Sequence, residues 1–333
     1  MRAAVISGPG RVEVTSIGDP TPAPGEVVIA VAACGICGTD LHIMQGRFAP
    51  TLPVVPGHEF AGEVVALGSG VTSLIVGDRV AVDPNLPCHA CERCRRGRTN
   101  LCLNFSALGV TIAGGAAEYV AAPAGVCVKL TDEVRVQDAA LVEPLSCAIR
   151  GSDVVAGRLG DRVLVYGAGT MGLLHVALAS RAGAVSVDVV DLKADRLDAA
   201  AQVGASRTAM SAAELDAGSG WDVVIDCTGA VGAIEDGLAR VAVGGTFLQF
   251  GVADEEAVAT WSPYRVYRDE ITIVGSMSVL NSFDRAVALL TAGAVDPAVI
   301  ISDRLPLADY PDAIARVQAG AGRKILVTPG HRP

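Results

Sequence analysis

The sequence predicts an α/β protein in which a β-rich domain is followed by a doubly wound parallel sheet. The chain has 333 residues, and since a domain usually holds roughly 100–200 residues, this length predicts two domains. Up to about residue 130, short strands are separated by Gly and Pro, whereas from about Asp153 strands alternate with glycine turns and helices. Such alternation is typical of βαβ units and a parallel sheet.

The predicted strands differ in kind between the two parts of the chain. In the first part they are Val27–Ala32, Phe60–Ala66, Arg79–Val82 and Glu118–Ala121. In the second part they are continuous apolar runs, at Val163–Tyr166, Val185–Val190, Val223–Asp226, Thr246–Phe250 and Ile271–Val274. Continuous rather than alternating hydrophobicity is required where a parallel sheet is covered on both faces. The second domain is therefore predicted to be doubly wound.

The C-terminal segment is predicted to return to the first domain. It contains a helix-like stretch at Phe283–Ala292, another at Pro311–Gln318 and a final strand at Lys324–Val327. About 50 residues make a poor independent core. The predicted domains are therefore residues 1–148 together with 285–333, and residues 149–284.

Composition argues against several classes of partner. With 26 Lys and Arg against 36 Asp and Glu, the formal net charge is −10, which disfavours nucleic acid. No apolar run approaches the ~20 residues of a membrane span, and the first residues lack an apolar stretch followed by a cleavage site. Nine cysteines without an export signal predict thiols or metal ligands in a reducing cytosol. We therefore expect a soluble, cytoplasmic protein with neither membrane nor nucleic-acid partners.

A short, charged segment carries four cysteines with the spacing CxxCxxCx7C. They are Cys88, Cys91, Cys94 and Cys102. Four thiolates at this spacing can close a tetrahedral Zn²⁺ site, and a site without an open position is structural. Four arginines lie among them and would lower the thiol pKa values. These are Arg93, Arg95, Arg96 and Arg98. Four unrelated cysteines are the alternative, but the segment is too charged to be core.

A second group of metal-ligand residue types comes from separated segments. His58 and Glu59 begin twenty-one residues after Cys37, and Glu143 lies at the seam between the two parts. A thiolate, an imidazole and carboxylates form the incomplete ligand shell that leaves a zinc position open for substrate. Two alternatives stay open from these residues alone. Cys34 and Cys37 could form a metal clip or a redox pair, and His58-Glu59 could be a paired surface feature.

A glycine-rich turn joins the strand Arg162–Tyr166 to the helical stretch Leu173–Ala182. Its sequence is Gly167-Ala168-Gly169-Thr170-Met171-Gly172, and Asp191 follows nineteen positions after Gly172. These glycines permit a tight turn and a close approach to a pyrophosphate at the helix N-terminus. Asp191 can accept hydrogen bonds from ribose hydroxyls and would repel a 2′-phosphate, so NAD is favoured over NADP. Lys193 and Arg196 are basic residues just past this acid, and their positive charges would tolerate the 2′-phosphate of NADP.

The order of these motifs resembles the zinc-containing medium-chain dehydrogenases/reductases. The order is Cys37-Gly38-Thr39-Asp40, Pro56–Gly62, Val76–Val80, the four-cysteine segment and the glycine-rich turn, and the resemblance covers essentially the whole chain. It implies a GroES-like catalytic domain that holds both zinc ions and a Rossmann domain that binds the dinucleotide, with the active site in the cleft between them. The string Glu143-Pro144-Leu145-Ser146 resembles the polyol (sorbitol) and threonine dehydrogenase branch.

The resemblance also implies roles for individual residues. The catalytic zinc would be held by Cys37, His58, Glu59, as a permanent or alternating ligand, and Glu143, directly or through water. Thr39 and His42 would relay the substrate proton to solvent, and Asp40 would orient an imidazole ligand. The implied dinucleotide contacts are Gly167, Gly169, Met171, Gly172, Asp191, Arg196, Phe250, Gly251, Val252, Ser276, Met277 and Ser278.

The implied reaction is zinc-dependent hydride transfer from a secondary alcohol of a polyol or sugar alcohol to NAD⁺, which yields a ketone. A threonine-type or simple secondary-alcohol dehydrogenase is the alternative within this class, and a non-catalytic NAD-binding sensor or structural protein is the alternative outside it. Arg47 is a candidate anchor for a phosphate or carboxylate of the substrate, and Phe48 and Thr111–Ala117 are candidate pocket residues. The resemblance also implies that edge strands near Ile271–Val274 pair across a two-fold axis, so we expect a homodimer or homotetramer.

Overall fold

The structure is a computed structural model that describes residues 1–47 and 52–330. Its strands are β1 (Arg2–Gly8), β2 (Arg11–Ser16), β3 (Glu26–Gly35), β4 (Glu59–Leu67), β5 (Arg79–Val82), β6 (Asn85–Leu86), β7 (Ser106–Ala107), β8 (Tyr119–Pro123), β9 (Cys127–Lys129), β10 (Arg162–Tyr166), β11 (Ser186–Val190), β12 (Arg207–Ala209), β13 (Trp221–Asp226), β14 (Val241–Gln249), β15 (Thr272–Gly275), β16 (Ile301–Pro306) and β17 (Lys324–Thr328). Its helices are α1 (Gly38–Met44), α2 (Glu92–Arg95), α3 (Val142–Val155), α4 (Thr170–Arg181), α5 (Ala194–Gln202), α6 (Val231–Arg240), α7 (Pro263–Arg268), α8 (Phe283–Thr291), α9 (Pro297–Ile300) and α10 (Tyr310–Gln318).

The chain divides into two compact units. The first comprises Met1–Ser146, Val279–Ala292 and the chain from Ile301 onward, and the second comprises Cys147–Ser278 and Gly293–Ile300. The sequence-based boundaries at 148/149 and 284/285 differ from this division. Ser282 belongs to the first unit because its hydroxyl lies 2.9 Å from that of buried Ser146. The segment 293–300 belongs to the second unit because α9 packs against α4 and α5.

The first unit is built on a seven-stranded sheet in the order β16-β17-β3-β4-β5-β9, with β8 also paired with β3. Strands β3, β4, β5 and β8 overlap the four strands that the sequence predicts for this part. β17 lies antiparallel to β3, where Leu326 pairs with Gly35 and Val327 with Cys34. Apolar side chains from both strands, among them Ile29 and Ile325, form the core.

The second unit contains a six-stranded parallel sheet in the order β12-β11-β10-β13-β14-β15. β10, β11 and β13 are rich in Val and mostly buried, as a sheet covered on both faces requires. The strand order reverses between β10 and β13. Open sheets of this kind bind ligands beyond the carboxyl ends of their strands, at the reversal. This topology confirms the predicted doubly wound sheet.

Helices join the parallel strands, with α4 between β10 and β11, α5 between β11 and β12, and α6 between β13 and β14. These crossovers are what a parallel sheet requires. In residues 1–47 and 52–330, no helix combines the length and the apolar character needed to cross a membrane.

Candidate active site and four-cysteine lobe

Cys37 lies between β3 and α1, at the N-terminal end of that helix. Its backbone is extended (φ −119°), and its N–H donates to Oδ2 of Asp40 at 2.8 Å, so the carboxylate closes the first turn of the helix. Oδ1 of Asp40 accepts from the backbone N–H of Gly57 at 3.3 Å. Asp40 is fully buried. It therefore joins the segment that carries Cys37 to the segment that carries His58.

This arrangement differs from the role that the resemblance implies for Asp40. Its carboxylate oxygens bind backbone N–H groups, and among the described residues Nδ1 of His58 finds no hydrogen-bond partner. In this structure Asp40 positions two main-chain segments and does not orient the imidazole through a hydrogen bond.

Glu59 is the first residue of β4 and lies opposite Gly35 of β3. Nζ of Lys324 donates to Oε2 of Glu59 at 2.5 Å and to the carbonyl oxygen of Ile36 at 3.0 Å, and both charged side chains are buried. A Cβ on residue 35 would lie 2.1 Å from Oε2 of Glu59, so glycine is required there. Burial lowers the pKa of Lys324, but the negative charges of Glu59, Cys37 and Glu143 and the hydrogen bond with Glu59 together raise it above its usual value.

Cys37, His58 and Glu59 form a group whose ligand atoms all lie within 4.8 Å of one another. Burial lowers the pKa of His58, but the negative charge of Cys37, a hydrogen bond with Cys37, and the carboxylates of Asp40 and Glu143 raise it well above its usual range. A thiolate, an imidazole and a carboxylate are ligand types that suit Zn²⁺, and the negative charges around His58 favour a cation. Three protein ligands leave one position of the ion open for substrate. The donor set therefore fits a catalytic zinc ion.

Glu143 lies in the first turn of α3 and is buried. Its charge acts on the imidazole of His58, but its carboxylate is outside the group of mutually close ligand atoms found in the described part of the chain. Thr39 and His42 are three residues apart on α1, so they lie on one face of that helix, and both are half-buried. The thiol of Cys37 donates to Oγ1 of Thr39 at 3.8 Å.

Cys34 does not join Cys37 in this group. Its side chain lies in the core of the first unit and donates to the carbonyl oxygen of Gly35 at 3.6 Å, and burial raises the pKa of the thiol well above its usual value. This geometry disfavours a metal clip or redox pair made of Cys34 and Cys37. Because His58 and Glu59 are both buried, they are also not a surface pair.

The loop Thr111–Ala117 packs against the segment that precedes His58. Consecutive N–H groups from Gly114 to Ala116 donate to carbonyl oxygens within residues 55–57 at 2.8–3.0 Å. A Cβ on Gly114 would lie 2.3 Å from the carbonyl oxygen of Gly57, so this approach depends on glycine. Arg47 is exposed, and Phe48 lies outside the described residues.

The four cysteines of the charged segment converge on one point. Their sulfur atoms all lie within 4.8 Å of one another. Cys88 follows β6, Cys91 precedes α2, Cys94 lies within α2, and Cys102 follows a 3-10 turn. Sγ of Cys102 is 3.5 Å from Sγ of Cys88 and 3.9 Å from Sγ of Cys91.

Backbone N–H groups point at these sulfur atoms. The N–H of Cys91 donates to Sγ of Cys88 at 3.4 Å, and the N–H groups of Cys88 and Asn104 donate to Sγ of Cys102 at 3.3 Å. Hydrogen bonds from the backbone of Ala90 and then of Cys91 lower the pKa of Cys88 to about 6. Four converging sulfurs with no other ligand type fit a closed, structural zinc site.

The glycine turn after β10 is shaped by close backbone approaches. Gly167 has φ +91°, and a Cβ there would lie 2.9 Å from Cγ2 of Thr228. A Cβ on Gly172 would lie 1.7 Å from the carbonyl oxygen of Gly167, so α4 can pack this near β10 only with glycine. A Cβ on Gly169, which immediately precedes α4, would meet Nη1 of Arg196 at 3.8 Å, an ordinary van der Waals contact. The N-terminus of α4 therefore follows a glycine turn, and helix N-termini of this kind bind a pyrophosphate, which fits a dinucleotide.

Asp191 directly follows β11 and is nearly buried. Its Oδ2 accepts from the N–H of Ala168 at 2.7 Å, and its Oδ1 accepts from the N–H of Lys193 at 2.9 Å. Nη1 of Arg196 lies 3.8 Å from Oδ2. The carboxylate therefore holds the glycine turn and has a guanidinium beside it. The remaining member of the turn, Met171, is half-buried in the first turn of α4.

The other predicted cofactor residues follow later strands of the same sheet. Residues 250–252 follow β14 and residues 276–278 follow β15, at the carboxyl edge of the sheet. The ring of Phe250 meets the ring of His175 edge-on, with centroids 4.6 Å apart. The hydroxyl of Ser276 is buried and finds no hydrogen-bond partner within the described structure. A buried, unpartnered hydroxyl at this edge is what a polar ligand would satisfy.

Two buried charged residues of these sites are absent from the sequence-based prediction. Lys324 is the first residue of an otherwise apolar strand, and Asp226 is the last residue of another. In the sequence, each of these residues is only a charged residue at the end of an apolar strand. Charged residues at strand ends are usually exposed to solvent, so the sequence does not show that these two are buried.

Two family models match this chain. The alcohol dehydrogenase GroES-like domain matches residues 23–132, and the zinc-binding dehydrogenase domain matches residues 170–292. Together with the fold and the two groups of metal-ligand side chains, these matches show that the chain belongs to the zinc-containing medium-chain dehydrogenases/reductases. This confirms the family that the order of the motifs indicates.

Individual relatives cover nearly the whole chain. D-arabinitol dehydrogenase 1 of Uromyces fabae is 37% identical over 318 residues, which span 91% of this chain and 90% of that protein. A zinc-binding dehydrogenase from Sinorhizobium meliloti 1021 bound to NADP superposes with a TM-score of 0.96 at 35% identity, over 98% of this chain and 99% of that one. An alcohol dehydrogenase from E. coli CFT073 complexed with NADH gives 0.91 at 30% identity, over 98% of this chain and 99% of that one.

Proposed function

We propose that this protein oxidises a secondary alcohol of a polyol or sugar alcohol to a ketone, with NAD⁺ as hydride acceptor and zinc in the active site. The observation that carries the proposal is the group formed by half-buried Cys37 and buried His58 and Glu59, which offers three mutually close ligands of zinc type. The similarity to D-arabinitol dehydrogenase 1 and the Glu143-Pro144-Leu145-Ser146 string support a substrate with several hydroxyl groups.

The proposed ligands of the catalytic zinc are Cys37, His58 and Glu59, with Glu143 as a direct or water-mediated ligand. Because Lys324 binds Oε2 of Glu59, it restricts the orientation of that carboxylate. A zinc ion held there supplies a Lewis acid for the substrate hydroxyl, and a bound nicotinamide dinucleotide supplies the hydride acceptor.

The residues of α1 provide a route for the proton that leaves the substrate. Thr39 presents a hydroxyl beside the sulfur of Cys37, and His42 follows one turn later on the same face. Thr39 Oγ1 accepts the hydrogen bond from the substrate hydroxyl, and the half-buried imidazole of His42 passes the proton to solvent.

NAD is the proposed cofactor because the carboxylate of Asp191 stands at the end of β11, where it accepts hydrogen bonds from ribose hydroxyls and repels a 2′-phosphate. Arg196 lies beside this carboxylate, and its guanidinium is the group that would bind the 2′-phosphate of NADP. The four-cysteine lobe, Cys88, Cys91, Cys94 and Cys102, is the proposed structural zinc site.

We also propose a homodimer or homotetramer. β15 is an edge strand of the parallel sheet, and the helix that precedes it, α7, exposes Tyr264 and Tyr267. Open edges and clustered exposed aromatic side chains are typical of surfaces that pair with another chain.

The experiment that tests the function is NADH formation from a panel of alcohols, with zinc quantified on the same sample. The panel contains free and phosphorylated polyols, cyclitols, threonine and simple secondary alcohols. Turnover of a polyol with about two zinc ions per chain is expected. Turnover of only threonine or only simple alcohols would replace the polyol with that substrate class, and no turnover on the whole panel would contradict the proposed activity.

Two cysteine variants separate the metal sites. Cys37→Ser should abolish most turnover while the melting temperature stays near that of the wild type, because the sulfur of Cys37 is a proposed ligand of the catalytic zinc and not of the structural one. Cys91→Ser should lower the melting temperature and the yield of folded protein, because a structural zinc site contributes directly to folding. Each variant should lose about one zinc ion per chain. The reverse pattern would exchange the two assignments.

A further inference from the structure

Asp226 is the last residue of β13, beside the point where the strand order of the parallel sheet reverses. Its side chain has no exposed surface. Ligands of doubly wound sheets bind at this reversal, beyond the carboxyl ends of the strands. A buried carboxylate at the end of a central strand therefore lies directly beneath the expected ligand site.

The carboxylate of Asp226 joins the loop after β13 to the end of β14. Oδ1 accepts from the N–H of Thr228 at 3.0 Å and from its hydroxyl at 2.6 Å, and Oδ2 accepts from the N–H of Gly229 at 2.9 Å. Oδ2 also accepts from Nε2 of Gln249 at 2.8 Å, so the contact reaches from the loop after β13 to the end of β14. All four donors are neutral.

The main chain of Asp226 binds the second loop as well. Its carbonyl oxygen accepts from the N–H of Phe250 at 3.0 Å and of Gly251 at 2.7 Å. Nε2 of Gln249 donates in addition to the carbonyl oxygen of Gly251 at 2.8 Å. The start of the segment 250–252 is thus held by the backbone of Asp226 directly and by its side chain through Gln249.

These loops approach each other and the glycine turn closely. A Cβ on Gly251 would lie 2.3 Å from the nitrogen of Gly229 and 2.8 Å from Oδ2 of Asp226. A Cβ on Gly167, in the turn after β10, would lie 2.9 Å from Cγ2 of Thr228. Three loops therefore meet around the buried carboxylate.

We propose that Asp226 is a positioning residue that preforms the dinucleotide site by holding the loops after β13 and β14 in register with the glycine turn. This inference rests on the proposed function, which assigns residues 250–252 to the dinucleotide. Because all surface of Asp226 is buried, it does not touch substrate or cofactor itself. Its effect is to fix the loops before the ligand arrives, which reduces the ordering cost of binding.

A second buried carboxylate in the same sheet provides a matched control. Asp188 of β11 is also fully buried, but its partners are Arg207 and the indole N–H of Trp221, not the cofactor-edge loops. Replacing either carboxylate with an amide places an NH₂ group against donors and costs about 1–3 kcal/mol. Both changes should destabilise the fold, and only one should loosen the dinucleotide site.

The test compares Asp226→Asn with Asp188→Asn in the full chain, with NADH and NADPH as probes. Titration calorimetry gives the dissociation constants, steady-state kinetics gives KM for the dinucleotide and for the alcohol, and thermal unfolding gives stability. Asp226→Asn should weaken dinucleotide binding by about tenfold or more, as expected when buried donors lose their acceptor. Its zinc content and its KM for the alcohol should match the wild type. Asp188→Asn should show a lowered melting temperature with wild-type dinucleotide affinity.

Milder variants keep the test decisive where Asp226→Asn fails to fold. Thr228→Val and Gln249→Leu each remove one donor from the carboxylate, and each should weaken NADH binding by several-fold. Wild-type affinity in Asp226→Asn or in both milder variants would overturn the inference. Equal loss of affinity in Asp188→Asn would also overturn it, because the effect would then follow stability alone. A wild-type protein that binds neither NADH nor NADPH would overturn the proposed function together with this inference.

Discussion

At the scale of single residues, buried carboxylates in this protein are held by different kinds of partner. Glu59 pairs with Lys324, both oxygens of Asp188 bind Arg207, and Asp40 accepts from backbone N–H groups. Each needs such partners because an ionised carboxylate loses its hydration on burial. The partners also determine which carboxylate oxygens are available to a ligand. Lys324 binds Oε2 of Glu59, whereas both oxygens of Asp188 accept hydrogen bonds from Arg207.

Asp191→Ala should change the cofactor preference. The substitution removes the acceptor for ribose hydroxyls and the charge that repels a 2′-phosphate, while Arg196 stays in place. We expect the ratio of kcat/KM for NAD⁺ to that for NADP⁺ to fall by about tenfold or more. Asp198→Ala removes an equal charge from an exposed position on α5 and should leave the ratio unchanged. An unchanged ratio in Asp191→Ala would mean that this carboxylate does not select the cofactor.

His175 predicts a pH dependence of stability. It lies buried in α4, and burial lowers its pKa to about 4, against about 6.5 in an unfolded chain. The unfolded state therefore binds the proton first. The contribution of the neutral imidazole is complete above about pH 6.5 and is lost as the pH falls toward about 4.

The comparison with His175→Leu isolates this effect. Between about pH 7 and about pH 5, the free energy of unfolding of the wild type should fall by about 2 kcal/mol more than that of the variant. Trp221 and Trp261, the two tryptophans of the chain, both lie in the second unit, so their fluorescence reports the unfolding of that unit. Equal pH slopes in the two proteins would contradict the assignment of a depressed pKa.

At the scale of elements, the N-terminal ends of two helices carry part of the candidate chemistry. α1 has seven residues and holds Thr39 and His42 directly after Cys37, and α4 presents its N-terminal N–H groups at the glycine turn. A seven-residue helix is too short to show a helical period in sequence. It forms here because the carboxylate of Asp40 closes its first turn and because its inner face, including Ile43, is buried.

Gly172→Ala should disrupt the glycine turn. The added Cβ would lie 1.7 Å from the carbonyl oxygen of Gly167, so α4 must move away from β10. We expect a loss of stability of about 1–3 kcal/mol and NADH binding weakened by about tenfold or more. Gly232→Ala, at the start of α6, adds a Cβ with no atom within 4 Å and should change stability by at most about 1 kcal/mol, in the favourable direction. Wild-type NADH affinity in Gly172→Ala would contradict the proposed role of the turn.

At the scale of the whole molecule, the exposed edge of the second unit and its apolar side chains are the features that favour self-association. β15 has a neighbour on one side only, and Ile273 on that strand is 42% exposed. On α7, which leads into β15, Tyr267 is 82% exposed. Burying such side chains against a second copy would remove them from water and complete the hydrogen bonds of the edge.

Light scattering coupled to size-exclusion chromatography tests this expectation. The wild type should elute as a dimer or tetramer of the 33.9 kDa chain. Ile273→Lys should shift the population toward the monomer, because a charge would be buried at the paired edge. Leu159→Lys changes an apolar side chain that is 86% exposed and lies outside this edge strand, and it should leave the mass unchanged. A wild type found only at 33.9 kDa would remove the proposed assembly.

Predictability from sequence differs between the parts of the chain. Strands β10, β11 and β13 and the glycine turn were predictable because a buried parallel strand must be continuously apolar and the turn admits only glycine at close approaches. The two groups of metal-ligand side chains were predictable as residue types at metal-ligand spacing. The allocation of residues 293–300 to the second unit was not, because it depends on the packing of α9 against α4 and α5.

The sequence by itself determined the doubly wound sheet and the residues that stand as metal and dinucleotide candidates, because these follow from local periodicity and spacing. The order of its motifs also indicated the family, by resemblance. Tertiary structure decided the partners of the buried charges. Lys324 meets Glu59 although they are 265 positions apart, and the carboxylate of Asp226 joins the loop after β13 to the last residue of β14. Only the sheet brings these segments together, and burial then requires that each charge be paired by whatever donor or acceptor the fold places beside it.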